Sequence, residues 1–345
     1  MTDSRPTIHY PVDEQWLATR VEEAIEPERP IIDPHHHLWD RQQRYLLDEL
    51  LKDLNTGHKI LATVYLQCGS MYRAGGDPAY ASVGETEFVN GIAAMSASGG
   101  YGTARACAGI VGHADLYGLG AGVEPVLEAH VRAGGGRFRG VRNSSVWDAD
   151  ASIVSVPVPP PRGLLGDARF REGFARLATF GLSFDAWLYH PQIGELAALA
   201  RAFPDTTIVL DHVGGPLGVG AYKGRRADVF AVWRDAIREI ARCPNVNVKL
   251  GGLGMKWIGF GFEEKPRPPA SEELAREWRP YLETCIEAFG PDRAMFESNF
   301  PVDKQSCSYA ALWNAFKRFA GPYSEAEKKA LFFGTAARVY RLEVW

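Results

Sequence analysis

Two rhythms of apolar and polar positions alternate along this 345-residue chain. Short apolar runs, rich in β-branched and aromatic residues, read as strands: one opening at Ile31-Ile32, then 60–67, 106–111, 138–143, 182–189, 207–211, 246–250 and 294–299. Between them, apolar residues at helical spacing predict helices over 46–54, 85–97, 123–133, 170–180, 191–203, 228–242 and 272–289, with two more amphipathic stretches from Tyr309 and from Ser324. Residues 1–29 are polar, with scattered prolines and a helical pattern over 14–25; they read as an N-terminal arm packed across a barrel of residues 30–345. Eight strand–helix repeats with no internal sequence period predict an α/β fold, the (β/α)8 TIM barrel, with a doubly wound open sheet as the alternative. The proline-rich 156–161 and the glycine-, proline- and aromatic-rich 251–269 are extended loops, the first read as part of a lid.

The polar residues separate the two folds. In Asp33-Pro34-His35-His36-His37, alternation along an extended chain puts Asp33, His35 and His37 on one face and His36 on the other. Two imidazoles two residues apart on one face can hold one cation. His190 and His212 fall just past the ends of strands five and six, with Asp211, beside His212, expected to face the helical layer. In a barrel all eight strand ends converge on one face, so residues distant in sequence meet there, and the barrel is the better reading.

Composition narrows the function. The chain is 46% hydrophobic and 23% charged, with net charge −4 and an isoelectric point of about 6.2; no basic track suits nucleic acid or an anionic membrane. Five dispersed cysteines include no Cys-x-x-Cys pair, and reduced thiols in the cytoplasm are expected. Met1–Pro6 lacks the apolar segment of a signal peptide, and no run of 18 apolar residues occurs. The apolar C-terminal stretch 339–345 packs either on the barrel or on a second subunit of a homo-oligomer.

Four segments in order, I-I-D-P-H-H-H-L-W, W-L-Y-H-P-Q, V-L-D-H-V-G-G and M-F-E-S-N-F-P-V-D, resemble the amidohydrolase superfamily, in particular the branch with sugar lactonases and pyrone dicarboxylate lactonase. The resemblance spans Pro30 to the C-terminus. It implies His35, His37, His190 and His212 as ligands of a divalent cation, zinc first, that polarises a carbonyl and acidifies water. It equally allows a metal-free site, where the same histidines cradle the carbonyl oxygen.

One departure stands out. Where the family carries an aspartate as general base, this chain has Asn299, whose amide cannot take a proton. Three repairs are open. Glu297, two residues earlier, lies roughly 6.6 Å deeper at about 3.3 Å per residue. Asp303, four residues later, can fold back over the site. Alternatively a metal hydroxide suffices, and Asn299 positions it. The alternative for Glu297 is a counter-ion of Lys249 or Arg142 that does no chemistry. Arg142 and Lys249 are candidate anion-holding groups, with Arg73 and Gln67 in support and Tyr189 and Trp257 as apolar walls. The expected enzyme is a hydrolase opening a lactone or related ester of a small anionic molecule. A non-oxidative decarboxylase of the same superfamily and a non-catalytic metabolite-binding barrel are the alternatives.

Overall fold

The computed structural model describes residues 11–41 and 43–343. Eight strands form one parallel sheet in chain order: β1 (Pro30–His36), β2 (Lys59–Leu66), β3 (Arg105–Gly112), β4 (Phe138–Ser144), β5 (Ser183–Trp187), β6 (Ile208–Leu210), β7 (Val246–Leu250) and β8 (Ala294–Phe296). The sheet closes just past β8. There the Asn299 amide donates to the His35 carbonyl at 2.9 Å, and the His37 amide donates to the Phe300 carbonyl at 2.8 Å. This is a (β/α)8 barrel, with the open-sheet alternative removed by the closure.

Side-chain alternation sorts the core into two layers. Ile32, Ala62, Val64, Leu66, Val111, Val209 and Met295 fill the barrel interior, and Val339 and Tyr340 close its floor. The opposite face of the strands, including Ile31, Tyr65, Ile110, Val141, Phe184, Leu210, Val248 and Phe296, packs under the helices. The predicted 339–345 segment thus turns onto the barrel; Val344 and Trp345 lie outside the described residues.

Three local readings are corrected. The arm helix spans Glu14–Ala18 rather than 14–25. Beyond it the backbone hydrogen-bonds the barrel instead: the Ile25 amide donates to Asn314 Oδ1 (2.9 Å), and Lys317 Nζ donates to the Ile25 carbonyl (2.9 Å). The first ten residues of the arm lie outside the described set. Asp33 does not share a face with His35. The β1 register shifts between Asp33 and His36, across Pro34, which has no N–H for the ladder. Asp33 therefore meets the helical layer, where the Tyr309 hydroxyl donates to its carboxyl at 3.0 Å, while His35 faces the interior. Asp211 faces inward rather than toward the helices, because Val209 sets the phase of β6. His212 joins it only because its φ of +55° breaks the alternation.

Among the described residues, no helix is long and apolar enough to cross a membrane.

Candidate active site

The loops beyond the C-terminal strand ends enclose a cavity of about 1480 Å³. Its floor is made by His37, Gln67, Arg142, Trp187, His212 and Asn299; Trp257, Met255 and the 156–161 loop rise as walls. The hairpin of Trp39–Asp40 with Arg44–Tyr45, and Pro11, Val12 and Glu14 of the arm, complete the rim. Gln43 ties the arm there, accepting from the Val12 amide (2.7 Å) and donating to its carbonyl (3.0 Å).

Beneath this floor lies a layer of buried charge. Lys249 is fully buried, with Nζ 2.7 Å from Asp185 Oδ2 and 3.0 Å from Asp211 Oδ1. The Tyr340 hydroxyl donates to Asp185 at 2.6 Å from below. Arg142 lies 3.6 Å from Asp211 and donates to the Gln67 carbonyl, with Nη1 3.3 Å from His35 Nε2. Each cation in this dry interior therefore has a carboxylate, as burial demands.

Glu297 joins the two histidines of different strands. Its Oε1 accepts from the His212 backbone amide (3.0 Å) and ring Nδ1 (2.7 Å), and its Oε2 lies 2.8 Å from His35 Nδ1. Burial pushes this carboxyl up, but the facing His212 and His35 outweigh it and hold it down at about 2. An ionised oxygen accepts only, so His212 carries its proton on Nδ1, while His35 Nδ1 faces both Glu297 and the Lys249 ammonium, whose Nζ is 3.2 Å away. The structure thus gives Glu297 histidine partners in place of a direct Lys249 or Arg142 hydrogen bond. His37 donates Nδ1–H to the Leu66 carbonyl (2.8 Å), which leaves Nε2 as its acceptor atom, 3.3 Å from His35 Nε2. Burial first, then the neighbouring cations, push both His35 and His37 well below the usual imidazole range, so both are neutral.

Asn299 sits on the cavity floor with φ +55° and donates Nδ2–H to Asp303 Oδ1 at 2.8 Å. The Gly254 amide donates to the other Asp303 oxygen at 2.9 Å. Burial raises Asp303 to about 7, against the opposing pull of Gly254, His212 and Asn299.

Other predicted residues are placed elsewhere. His190 is buried off the cavity wall: its Nδ1 accepts from the Leu217 amide (3.3 Å), and its ring lies edge-on to Tyr222. Burial lowers it to about 4. Tyr189 donates its hydroxyl to Ser155 at 2.6 Å, behind the proline-rich loop. Arg73 is on the exposed surface, paired with Glu87. Asp185 escaped the sequence reading, although its inward phase beside Trp187 was a usable signal.

The donor set suits a divalent cation in two respects. Among the described residues, His35, Asp211 and His212 offer ligand atoms within 4.8 Å of one another. Two nitrogens on one tetrahedral zinc, each at 2.0–2.1 Å, are separated by about 3.3 Å, matching the Nε2 separation of His35 and His37.

The Amidohydrolase family model matches residues 32–342. The chain is 35% identical to a Sinorhizobium fredii protein designated y4mH over 338 residues, 90% of this chain and 98% of that one. It is 32% identical to an L-fucono-1,5-lactonase of Burkholderia multivorans over 209 residues, 60% of this chain and 64% of the relative. A crystal structure of a Burkholderia multivorans amidohydrolase with bound zinc is similar at 28% identity and TM-score 0.70, covering 91% of this chain and all of that one.

Proposed function

The chain belongs to the amidohydrolase family and is a hydrolase, and from that premise we propose that it opens a lactone or closely related carboxylic ester by attack of water. The observation that carries this reading is the floor of the cavity. His37, Arg142, His212 and Asn299 converge there from β1, β4, β6 and β8, with the imidazole protons fixed on Nδ1 by Glu297 and Leu66.

His35, Asp211 and His212, with His37 beside them, are the residues that would hold a divalent cation, and zinc suits their nitrogen and oxygen donors. Such a cation, when bound, polarises the ester carbonyl and acidifies water. The chain's own groups do the rest. Arg142 donates N–H toward negative charge that develops on the carbonyl oxygen, in a site where low dielectric strengthens the interaction. Glu297 stays ionised and acts as an orienting anion beneath His35 and His212. Asn299 has its NH2 committed to Asp303, so its Oδ1 is the atom that accepts from the attacking water and aims it. Asp303, one hydrogen bond behind, is the proton acceptor of this reading, reached through a second, bridging water because the Asn299 amide relays no proton. Its raised value matches a base working near neutrality, whereas Glu297, held at about 2, is too weak.

The test is product analysis by NMR. A panel of sugar 1,4- and 1,5-lactones, L-fucono-1,5-lactone included, and of hydroxybenzoates is incubated with wild type and Asp303→Asn. Ring-opened acids formed by wild type and strongly reduced in the variant are expected. Decarboxylated arenes with the lactones untouched would transfer the site to C–C cleavage.

A further inference from the structure

Among the described residues, each Lys or Arg on the cavity wall has a carboxylate except one. Arg44 faces Asp48 at 3.3 Å and Glu49 at 3.4 Å. Lys304 holds Asp53 at 2.9 Å and Glu14 at 3.0 Å, and Arg142 has Asp211. The cations anticipated for an anionic substrate are also spent, Lys249 on Asp185 and Asp211 and Arg73 on Glu87 outside the cavity. Arg41 lines the same cavity and makes no ion pair among the described residues. Its guanidinium is nevertheless held in place. Nη2 donates to the Cys68 carbonyl, and the group lies 5.4 Å from the centroid of the Trp39 ring. Trp39 stacks in turn on His37, with centroids 5.9 Å apart and planes within 16°. A guanidinium fixed along one edge presents its remaining N–H groups as a planar fork, the geometry that takes a carboxylate.

Resting on the lactonase reading above, we propose that Arg41 binds a carboxylate of the substrate, so that the preferred substrate is the monolactone of a dicarboxylic acid. The two ring contacts limit the separation of the Arg41 guanidinium from the His37 ring to about 11 Å. The carboxylate and the scissile carbonyl therefore belong to one compact molecule. A neutral aldonolactone would fill the cavity floor and leave Arg41 without a partner.

A matched pair of probes tests this: D-glucono-1,4-lactone and D-glucaro-1,4-lactone, which differ by a hydroxymethyl against a carboxylate. Wild type should favour the glucarolactone in kcat/KM. In Arg41→Ala that preference should fall roughly 10- to 100-fold, mainly through KM, with Arg41→Lys recovering part of it, as loss of one charge-assisted contact implies. An equal preference in wild type, or a preference that survives Arg41→Ala, overturns the assignment while leaving lactone hydrolysis standing. If neither lactone is opened, calorimetric binding of glucarate against gluconate still decides: tighter glucarate binding that depends on Arg41 supports the anion site, and indifference to Arg41 removes it.

Discussion

Replacing Glu297 by glutamine keeps the side-chain shape and removes one charge from the centre of the barrel. Glutamine offers one oxygen and one NH2 where the carboxylate presents two acceptors. With the oxygen kept for the two His212 donors, the NH2 would face His35 Nδ1, which already lies 3.2 Å from the Lys249 ammonium, and the ring must turn or change tautomer. Two effects oppose each other. Asp185, Asp211 and Glu297 outnumber Lys249 and Arg142, so neutralising one carboxyl relieves repulsion; it also forfeits the donors around Glu297. The direction of the shift decides between them. A carboxyl held at about 2 against its ordinary 4.5 is one whose charged form the fold favours, despite complete burial. A difference of that size is worth on the order of 3 kcal/mol at 1.36 kcal/mol per unit. With an unfolding entropy of about 2.1 cal/mol/K per residue, the melting temperature should drop by roughly 4 °C at pH 7. Because the folded-state value is depressed, this contribution is present above pH 4.5 and disappears as pH falls towards 2. The gap between wild type and Glu297→Gln should narrow over that interval. Turnover should fall roughly 10- to 100-fold, as for groups that orient catalytic histidines. Melts from pH 3 to 8 with lactone kinetics at pH 7 measure both. A variant that melts with wild type at pH 7 and keeps activity within about threefold would refute this account of Glu297.

Gly252 sits at φ +66° with the position of a Cβ 2.5 Å from His212 Cγ and Nδ1. Gly252→Ala should therefore displace His212 and cost turnover far more than KM, which steady-state kinetics will show; unchanged kcat would mean the His212 position is not needed. Asp303, raised to about 7 from 3.8, keeps its proton longer folded than unfolded, so its contribution to stability is lost as pH rises through that window. Asp303→Asn should flatten the pH dependence of the melting temperature between about pH 4 and 7, and should abolish the acid limb of kcat centred near pH 7; a limb that persists assigns the base elsewhere.

The barrel was legible because each strand is an apolar run closed by glycine, proline or polar residues, and all eight strands lie where those runs predict. Facing was legible only where alternation is unbroken. Arg142 and Lys249 point inward as the period of two requires. Asp33 and His212 do not follow it, since one lies across a proline in a register shift and the other at positive φ. No apolar pattern announces either event. His190 shares the strand-end position of a ligand, yet its Nδ1 is taken by the Leu217 amide, a contact that depends on a loop 27 residues away. Nothing in the sequence marks Arg41, a loop arginine next to an aspartate. That it makes no ion pair among the described residues emerges only when each other Lys and Arg on the wall has been matched to its carboxylate.

The central claim is that this cavity opens lactones using groups on its floor. It is tested most directly by pH-stat titration of wild type and His37→Ala against the lactone panel near pH 7, with a melt to show that the variant folds. Ring opening of a lactone to its carboxylate releases one proton per turnover. The account predicts enzyme-dependent proton release on at least one lactone, diminished at least 100-fold in His37→Ala. Proton release no faster than the uncatalysed rate on every lactone, or equal rates in the two proteins, would contradict it.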